Sequence, residues 1–167
     1  VGPLEAKQID YLGIIKKVNE NMIEIVETLL NVSRVEIGSI SIDLKNTDVP
    51  KMIDDILLEL SASIEMKELD VVRDYNGNLE NIETDPKLLR IVIQNLLSNA
   101  IKYTPKMGSV KIALKESFKE KSVTISDSGM GIPEEDKEKI FTKLFRASNV
   151  RKLSESQGTG LGLYLVK

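Results

Sequence analysis

Ser122-Val123-Thr124-Ile125-Ser126-Asp127-Ser128-Gly129-Met130-Gly131-Ile132-Pro133 is the stretch whose meaning decides how the whole chain folds. Its first five residues alternate and include Val123, Thr124 and Ile125, so they read as a strand. That strand delivers one carboxylate, Asp127, to its C-terminal end, and Gly129 and Gly131 follow at once. Glycine lets another group approach the backbone closely. A fixed carboxylate beside bare backbone suits a flat ligand edge that carries N–H donors, adenine among them. An Asp-Ser-Gly turn that only joins two elements suits the same residues, so the neighbouring stretches must decide.

Upstream, Val110 to Lys115 alternates as a strand able to pair with 122–126, and Thr104-Pro105-Lys106-Met107-Gly108 reads as a turn. Before it, Asp85-Pro86 reads as an N-cap with proline at the first helical position. The helix it opens, Pro86 to about Tyr103, is rich in aliphatic residues, among them Leu88, Ile93, Leu97 and Ile101. Asn95 and Asn99 are set into it four apart, and so on one face. Asparagine is a mediocre helix former. Two on one face suit either hydrogen bonds to neighbouring backbone or an oxygen-rich patch for a hard cation and phosphates.

Downstream, Pro133 to Phe145 is expected as a charged helix, and Ala147 to Gln157 as a polar loop. Gly158-Thr159-Gly160-Leu161-Gly162-Leu163 ends that loop and opens a helix. Backbone N–H groups at a glycine-rich helix start favour an anion such as phosphate.

Toward the N-terminus, Ser41 to Lys45 alternates as an edge strand, with Thr47 or Asp48 capping a helix over Pro50 to Lys67. Asp70 to Tyr75 reads as a strand, Asn76-Gly77-Asn78 as a turn and Leu79 to Glu83 as a short strand. From Glu5 to about Ser39 one long helix is expected, ending at Gly38-Ser39. Its apolar residues Tyr11, Ile14, Val18, Met22, Ile25, Leu29 and Val32 recur close to a heptad seam. A single helix with such a stripe cannot bury it alone. No second helix of matching length follows.

A chain of 167 residues holds one domain, or a domain with an arm, and a 41% hydrophobic fraction supports a core. The net charge of −3 argues against a general nucleic-acid binder. Cysteine is absent, which excludes disulfides and thiolate metal sites. Histidine and tryptophan are absent too, which excludes an imidazole mechanism within the chain and disfavours base-stacking platforms. No apolar run reaches membrane-spanning length. The expectation is a soluble, cytoplasmic piece with no membrane contact of its own, whose parent could be membrane-anchored.

Taken in order, these parts resemble the catalytic ATP-binding domain of sensor histidine kinases, within the gyrase, Hsp90, histidine kinase and MutL superfamily. Asn95-Leu96-Leu97-Ser98-Asn99-Ala100-Ile101-Lys102-Tyr103-Thr104 is similar to the family's N box. Asp127-Ser128-Gly129-Met130-Gly131 resembles the first glycine box, Phe141-Thr142-Lys143-Leu144-Phe145-Arg146 the F box, and Gly158 to Leu163 the second glycine box. The F box usually has a second aromatic where this chain has Leu144.

The resemblance implies an α+β fold: a two-layer α/β sandwich of the Bergerat type, with a mixed sheet and three helices on one face, preceded by one long coiled-coil-like helix. It implies residues 1–40 as the second helix of a dimerisation and phosphotransfer domain. Residues 41–167 are then the catalytic domain, with further strands expected after Lys167 and the chain a fragment of a longer protein. It implies ATP and Mg2+ as ligands. Asn99 is then the magnesium ligand, with Asn95 beside it. Lys102 contacts phosphate, and Tyr103 lies against base or ribose. Asp127 accepts the adenine amino hydrogen, while Gly129 and Gly131 give the base room. Gly158, Thr159, Gly160, Leu161 and Gly162 form the phosphate loop, and Arg146 reaches the terminal phosphate during transfer.

The implied activity is transfer of the γ-phosphoryl group of ATP to a histidine on a segment absent here. The implied partners are a histidine-bearing dimerisation helix, a response regulator and a second copy of the chain. A nucleotide-sensing module without transfer is the alternative, and a gyrase-like or MutL-like ATPase a third. The ATPase reading lacks a carboxylate on the asparagine helix, which has no Asp or Glu after Pro86.

Overall fold

The computed structural model describes residues 4–37, 41–76, 82–117, 120–151 and 158–167. The chain divides into two compact units, Val1–Ile40 and Ser41–Lys167. The first is a single helix, α1 (Ala6–Glu36). The expected Gly38-Ser39 helix end lies outside the described residues.

In the second unit the elements run β1 (Lys45–Thr47), α2 (Val49–Glu59), α3 (Ser61–Met66), β2 (Asp70–Asn76), β3 (Ile82–Thr84) and α4 (Pro86–Tyr103). Then follow β4 (Ser109–Glu116), β5 (Lys121–Asp127), a 3-10 turn (Glu134–Asp136), α5 (Ser148–Arg151) and α6 (Gly162–Val166). The main sheet has the order β2-β4-β5 and is mixed: β2 runs parallel to β4, and β5 antiparallel to it. β1 and β3 form a separate antiparallel ladder, Lys45 opposite Thr84 and Thr47 opposite Ile82. The single sheet expected from sequence is thus two sheets among the described residues.

One apolar core lies between helices and sheet. α2 gives Val49, Ile53, Ile56 and Leu57; α4 gives Ile93, Leu97, Ala100 and Ile101; β4 gives Val110, Ile112 and Leu114. Leu60 and Ile64 pack against it from the turn into α3 and from α3 itself. β4 is central, so its alternate residues are fully buried, whereas the flanking β2 and β5 are only half-buried. Burial of a Leu or Ile side chain contributes about 1.5–3 kcal/mol, and Ile53, Ile56, Leu97, Ile112 and Leu114 each retain no exposed area.

Both long helices of this unit begin where the sequence places a cap. Asp48 accepts from the Lys51 N–H at 3.0 Å, with Pro50 in the first turn. Asp85 Oδ1 accepts from Lys87 and Leu88 at 2.9 and 3.1 Å, with Pro86 first in α4. Asp85 Oδ2 also accepts from Asp43 N at 2.9 Å, tying the 41–44 segment to the start of α4.

Several further expectations need correction. The Ser41–Lys45 strand is displaced to Lys45–Thr47, because β1 pairs only where β3 lies opposite. The helix expected unbroken to Lys67 divides at Leu60, whose ψ of 1° ends α2 before serine-rich α3 begins. The charged helix over 133–145 does not form. After the 3-10 turn come isolated turns, Lys139 N to Asp136 O, Thr142 N to Lys139 O and Phe145 N to Thr142 O. Six consecutive charged residues leave no apolar stripe to hold a helix against the core. Ala147–Gln157 is not wholly loop, since it holds α5, and the final helix starts at Gly162 rather than at Gly158. Residues 77–81 and 152–157, which carry most of an expected turn, the first part of the strand expected over Leu79 to Glu83 and most of the polar loop, lie outside the described residues.

Candidate nucleotide site

The site grows from the C-terminal half of α4. Asn95 Nδ2 donates to the Ile91 carbonyl at 2.8 Å. That bond satisfies the helix-backbone reading of Asn95 and at the same time fixes the carboxamide with Oδ1 outward. Oδ1 then faces Gly162: a Cβ placed there would sit 2.5 Å from it. Asn99 is half-buried one turn further on. Lys102 and Tyr103 close the helix, the Lys102 ammonium 5.4 Å from the Tyr103 ring centroid. Burial pushes the Tyr103 phenol above its usual pKa, and the positive charge of Arg146 acts in the opposite sense.

The first glycine turn meets the end of this helix. Asp127 ends β5, and its Oδ1 accepts from Gly129 N at 2.8 Å, so the carboxylate is held by its own turn. A Cβ on Gly129 would overlap Asp127 Oδ1 and come within 2.8 Å of the Tyr103 carbonyl oxygen. Only glycine permits that approach. Ser128 Oγ accepts from Ser109 N at 2.9 Å and Ser128 N donates to Ser109 O at 3.0 Å, pinning the turn to β4. Gly131 has φ of +65° and nothing within 4 Å of where its Cβ would point, so that side of the loop is open. Asn149 Nδ2 donates to the Gly131 carbonyl at 3.0 Å, a link from α5 that the sequence did not announce.

The second glycine turn reaches the same helix from the other direction. Gly158 lies against Lys102 and Tyr103: its Cβ would stand 3.0 Å from Lys102 Nζ and 3.7 Å from the Tyr103 hydroxyl. Gly160, with φ of +70°, packs its backbone on Leu144 and Phe145 of the aromatic segment, where a Cβ would meet the Phe145 carbonyl at 2.7 Å. Leu144 itself has φ of +62°. Thr159 Oγ1 accepts from Leu161 N at 3.2 Å, so that N–H, expected to face phosphate, is already engaged. A cleft of about 300 Å³ opens beside the α4 end, lined by Lys67, Lys102, Tyr103, Ser128, Gly129 and Met130.

The Asn95, Lys102, Tyr103, Asp127, Gly129, Gly158 and Gly162 positions are thereby drawn to one helix half. Gly160 joins through the aromatic segment, and Gly131 lies on the open rim. Lys67 was not anticipated: its Nζ donates to the carbonyls of Ile101, Lys102 and Thr104 at 2.9, 2.7 and 2.8 Å. Nothing in the local pattern around a lysine at a helix end distinguishes such a residue from a solvated one.

A hard cation fits the donor set. Among the described residues no group of three carboxylate, imidazole or thiolate side chains could form a protein cage. The outward carboxamide oxygen of Asn95, with Asn99 one turn away, offers few oxygen ligands. Magnesium takes such sets together with waters and phosphate oxygens.

Residues 84–167 match the family described as histidine kinase-, DNA gyrase B-, and HSP90-like ATPase. The chain belongs to that family. Its relatives include the circadian input-output histidine kinase CikA of Synechococcus elongatus, 30% identical over 168 residues, covering 99% of this chain and 22% of CikA. The nucleotide-free catalytic domain of histidine kinase ThkA superposes with a TM-score of 0.63 at 28% identity, over 74% of this chain and 76% of that one. Full-length ShkA in complex with AMPPNP shares the fold, with a TM-score of 0.79 at 21% identity, over 99% of this chain and 34% of ShkA. The chain thus spans about a fifth of the length of CikA. The α+β fold with a mixed sheet is common to these kinases. Among the described residues no helix is long and apolar enough to cross a membrane.

Proposed function

We propose that this chain is the ATP-binding catalytic part of a sensor histidine kinase. It transfers the γ-phosphoryl group of Mg-ATP to a histidine carried on another segment, for onward signalling to a response regulator. The observation that carries the reading is the approach of three glycines from two turns to one helix half: Gly129 to Tyr103, Gly158 to Lys102, and Gly162 to Asn95. Family membership and the kinase relatives support it.

In this reading adenine meets Asp127, which retains acceptor capacity after Gly129 is served. The exocyclic amine of adenine donates to it, whereas guanine would present a carbonyl there. Tyr103 lies beside base or ribose. Lys102 and the backbone N–H groups of Gly158–Gly162 other than that of Leu161, which Thr159 Oγ1 holds, take the phosphates, whose charge a helix start favours. Asn99, with Asn95, would hold magnesium, which neutralises phosphate charge when bound. Arg146 stabilises charge at the terminal phosphate. Phosphoryl transfer rests on positioning and charge stabilisation more than on covalent work by the protein. An imidazole nitrogen bonds to phosphorus as the bond to the β–γ bridging oxygen breaks, and ADP leaves. Residues 1–40 act as the second helix of the dimerisation and phosphotransfer domain, and residues 41–167 as the catalytic domain.

The test is incubation with γ-labelled ATP and Mg2+. The chain alone, which has no histidine, binds Mg-ATP by calorimetry but acquires no acid-labile label. A helix bearing a phosphoacceptor histidine, added in trans, becomes labelled. Absence of Mg-ATP binding sinks the proposal. Binding with no transfer to the helix favours a nucleotide-sensing module.

A further inference from the structure

The geometry points to Lys67 as a positioning residue for the nucleotide site, one that holds the C-terminal end of α4 so that Lys102, Tyr103 and the Gly129 turn keep their places. The inference rests on the proposed ATP-binding role.

The last carbonyls of a helix have no partners within it. At the end of α4, Thr104 N closes on Ala100 O, and Thr104 Oγ1 bonds the same carbonyl at 2.6 Å. The carbonyls of Ile101, Lys102 and Thr104 are left to one group, the Lys67 ammonium, at 2.7 to 2.9 Å. An ammonium has three donors and no acceptor. All three are spent on these carbonyls, so Lys67, although it lines the cleft, has no donor left for a phosphate. Its positive charge also sits at the negative end of the helix dipole, where it is favoured.

Lys67 is itself held in register. Its carbonyl accepts from Met107 N at 2.8 Å, and Gly108 O accepts from Asp70 N at 2.9 Å. Glu68, next along, pairs with Lys106 at 2.6 Å and takes φ of +51°, a conformation that turns the chain sharply after α3. The start of β2 is thus fastened to the turn between α4 and β4, with Lys67 reaching under the helix end from that seam.

The helix end and the first glycine turn meet through backbone, Tyr103 O against Gly129. Gly129 in turn donates to Asp127 Oδ1. A helix end that loses its ammonium would leave three carbonyls without their donor beside Lys102, the expected phosphate contact, and loosen the Tyr103 contact with Gly129. Lys67 therefore bears on both ends of the nucleotide without touching it.

The chain has no cysteine, so Lys67→Cys can be alkylated at that position alone. Aminoethylation rebuilds a lysine-length ammonium, whereas S-propylation gives equal bulk without donors. Lys67→Met and the S-propyl protein are expected to bind Mg-ATP about five- to tenfold more weakly than the unmodified chain in calorimetry. The aminoethylated protein should return to within about twofold. A residue that merely fills space would be rescued equally by both alkylations. Mg-ATP affinity unchanged in Lys67→Met, or restored equally by S-propylation, overturns the inference. So does a deficit in the cysteine variant that aminoethylation fails to repair. Failure of the unmodified chain to bind Mg-ATP would instead remove the ATP-binding reading on which the inference stands.

Discussion

Asp127 illustrates how one atom can be spoken for while its neighbour is free to act. Oδ1 is held by Gly129 N, and the carboxylate is exposed at the end of β5. Asp127→Asn can keep the bond to Gly129 through its amide oxygen, but then presents an N–H2 toward the adenine amine, donor against donor. Adenine-nucleotide affinity should fall by about 1–3 kcal/mol, measured by calorimetry, with the melting temperature nearly unchanged. An unaltered affinity would remove Asp127 from the site. Asp85 works at the opposite end of α4. Hydrogen bonds from the backbone of Asp43 first, then Leu88 and Lys87, hold its carboxyl below the usual carboxylate range. A depressed folded-state value means that stabilisation is present above the unfolded-state value and is lost as pH falls through the folded one. Asp85→Ala should therefore melt several degrees below the unmodified chain at neutral pH. The gap should close as the solution is acidified below the carboxylate range, a trend that thermal scans across pH would reveal.

At the scale of elements two of the three glycines of the final turn, Gly160 and Gly162, should separate stability from binding. Gly160 has a positive φ and a carbonyl at 2.7 Å from its missing Cβ. Gly160→Ala strains rigid backbone on both sides and is expected to cost about 1–3 kcal/mol of stability in denaturant unfolding. Gly162 faces only the tip of Asn95, and alanine is the better helix former. Gly162→Ala should melt like the parent, yet bind Mg-ATP more weakly, because Asn95 must swing away. Equal affinity would place Asn95 outside the phosphate end. The same elements show what was legible beforehand. α4 was readable to the residue because an Asp-Pro start, an aliphatic stripe and a Thr-Pro stop agree on its limits. β4 and β5 were readable from alternation. The charged 133–145 segment was not, since charge density alone does not distinguish a solvated helix from a string of turns. Lys67 was not legible either. Its role depends on three carbonyls at least 34 residues away, and no local pattern encodes that distance.

For the molecule as a whole, the 41–167 unit has its own core, whereas α1 has none within itself. Ile14, Val18, Met22, Ile25 and Leu29 remain between 46% and 60% exposed, and Leu12, Ile15, Ile23, Val26 and Leu30 are exposed as well. A 31-residue helix extends about 46 Å, and a contiguous exposed apolar stripe along such a helix marks an interaction surface. The near-heptad spacing of its stripe is the pattern by which helices cover one another. The full chain should therefore sediment as a dimer at micromolar concentration, and Ile25→Glu combined with Met22→Glu should shift it to monomer. Residues 41–167 alone should be monomeric and should bind Mg-ATP with the affinity of the full chain, because every residue of the proposed site lies within that unit. A full chain that stays monomeric at high concentration would mean that α1 needs a different helix to cover it. Dimers that persist in the 41–167 fragment would place the contact elsewhere.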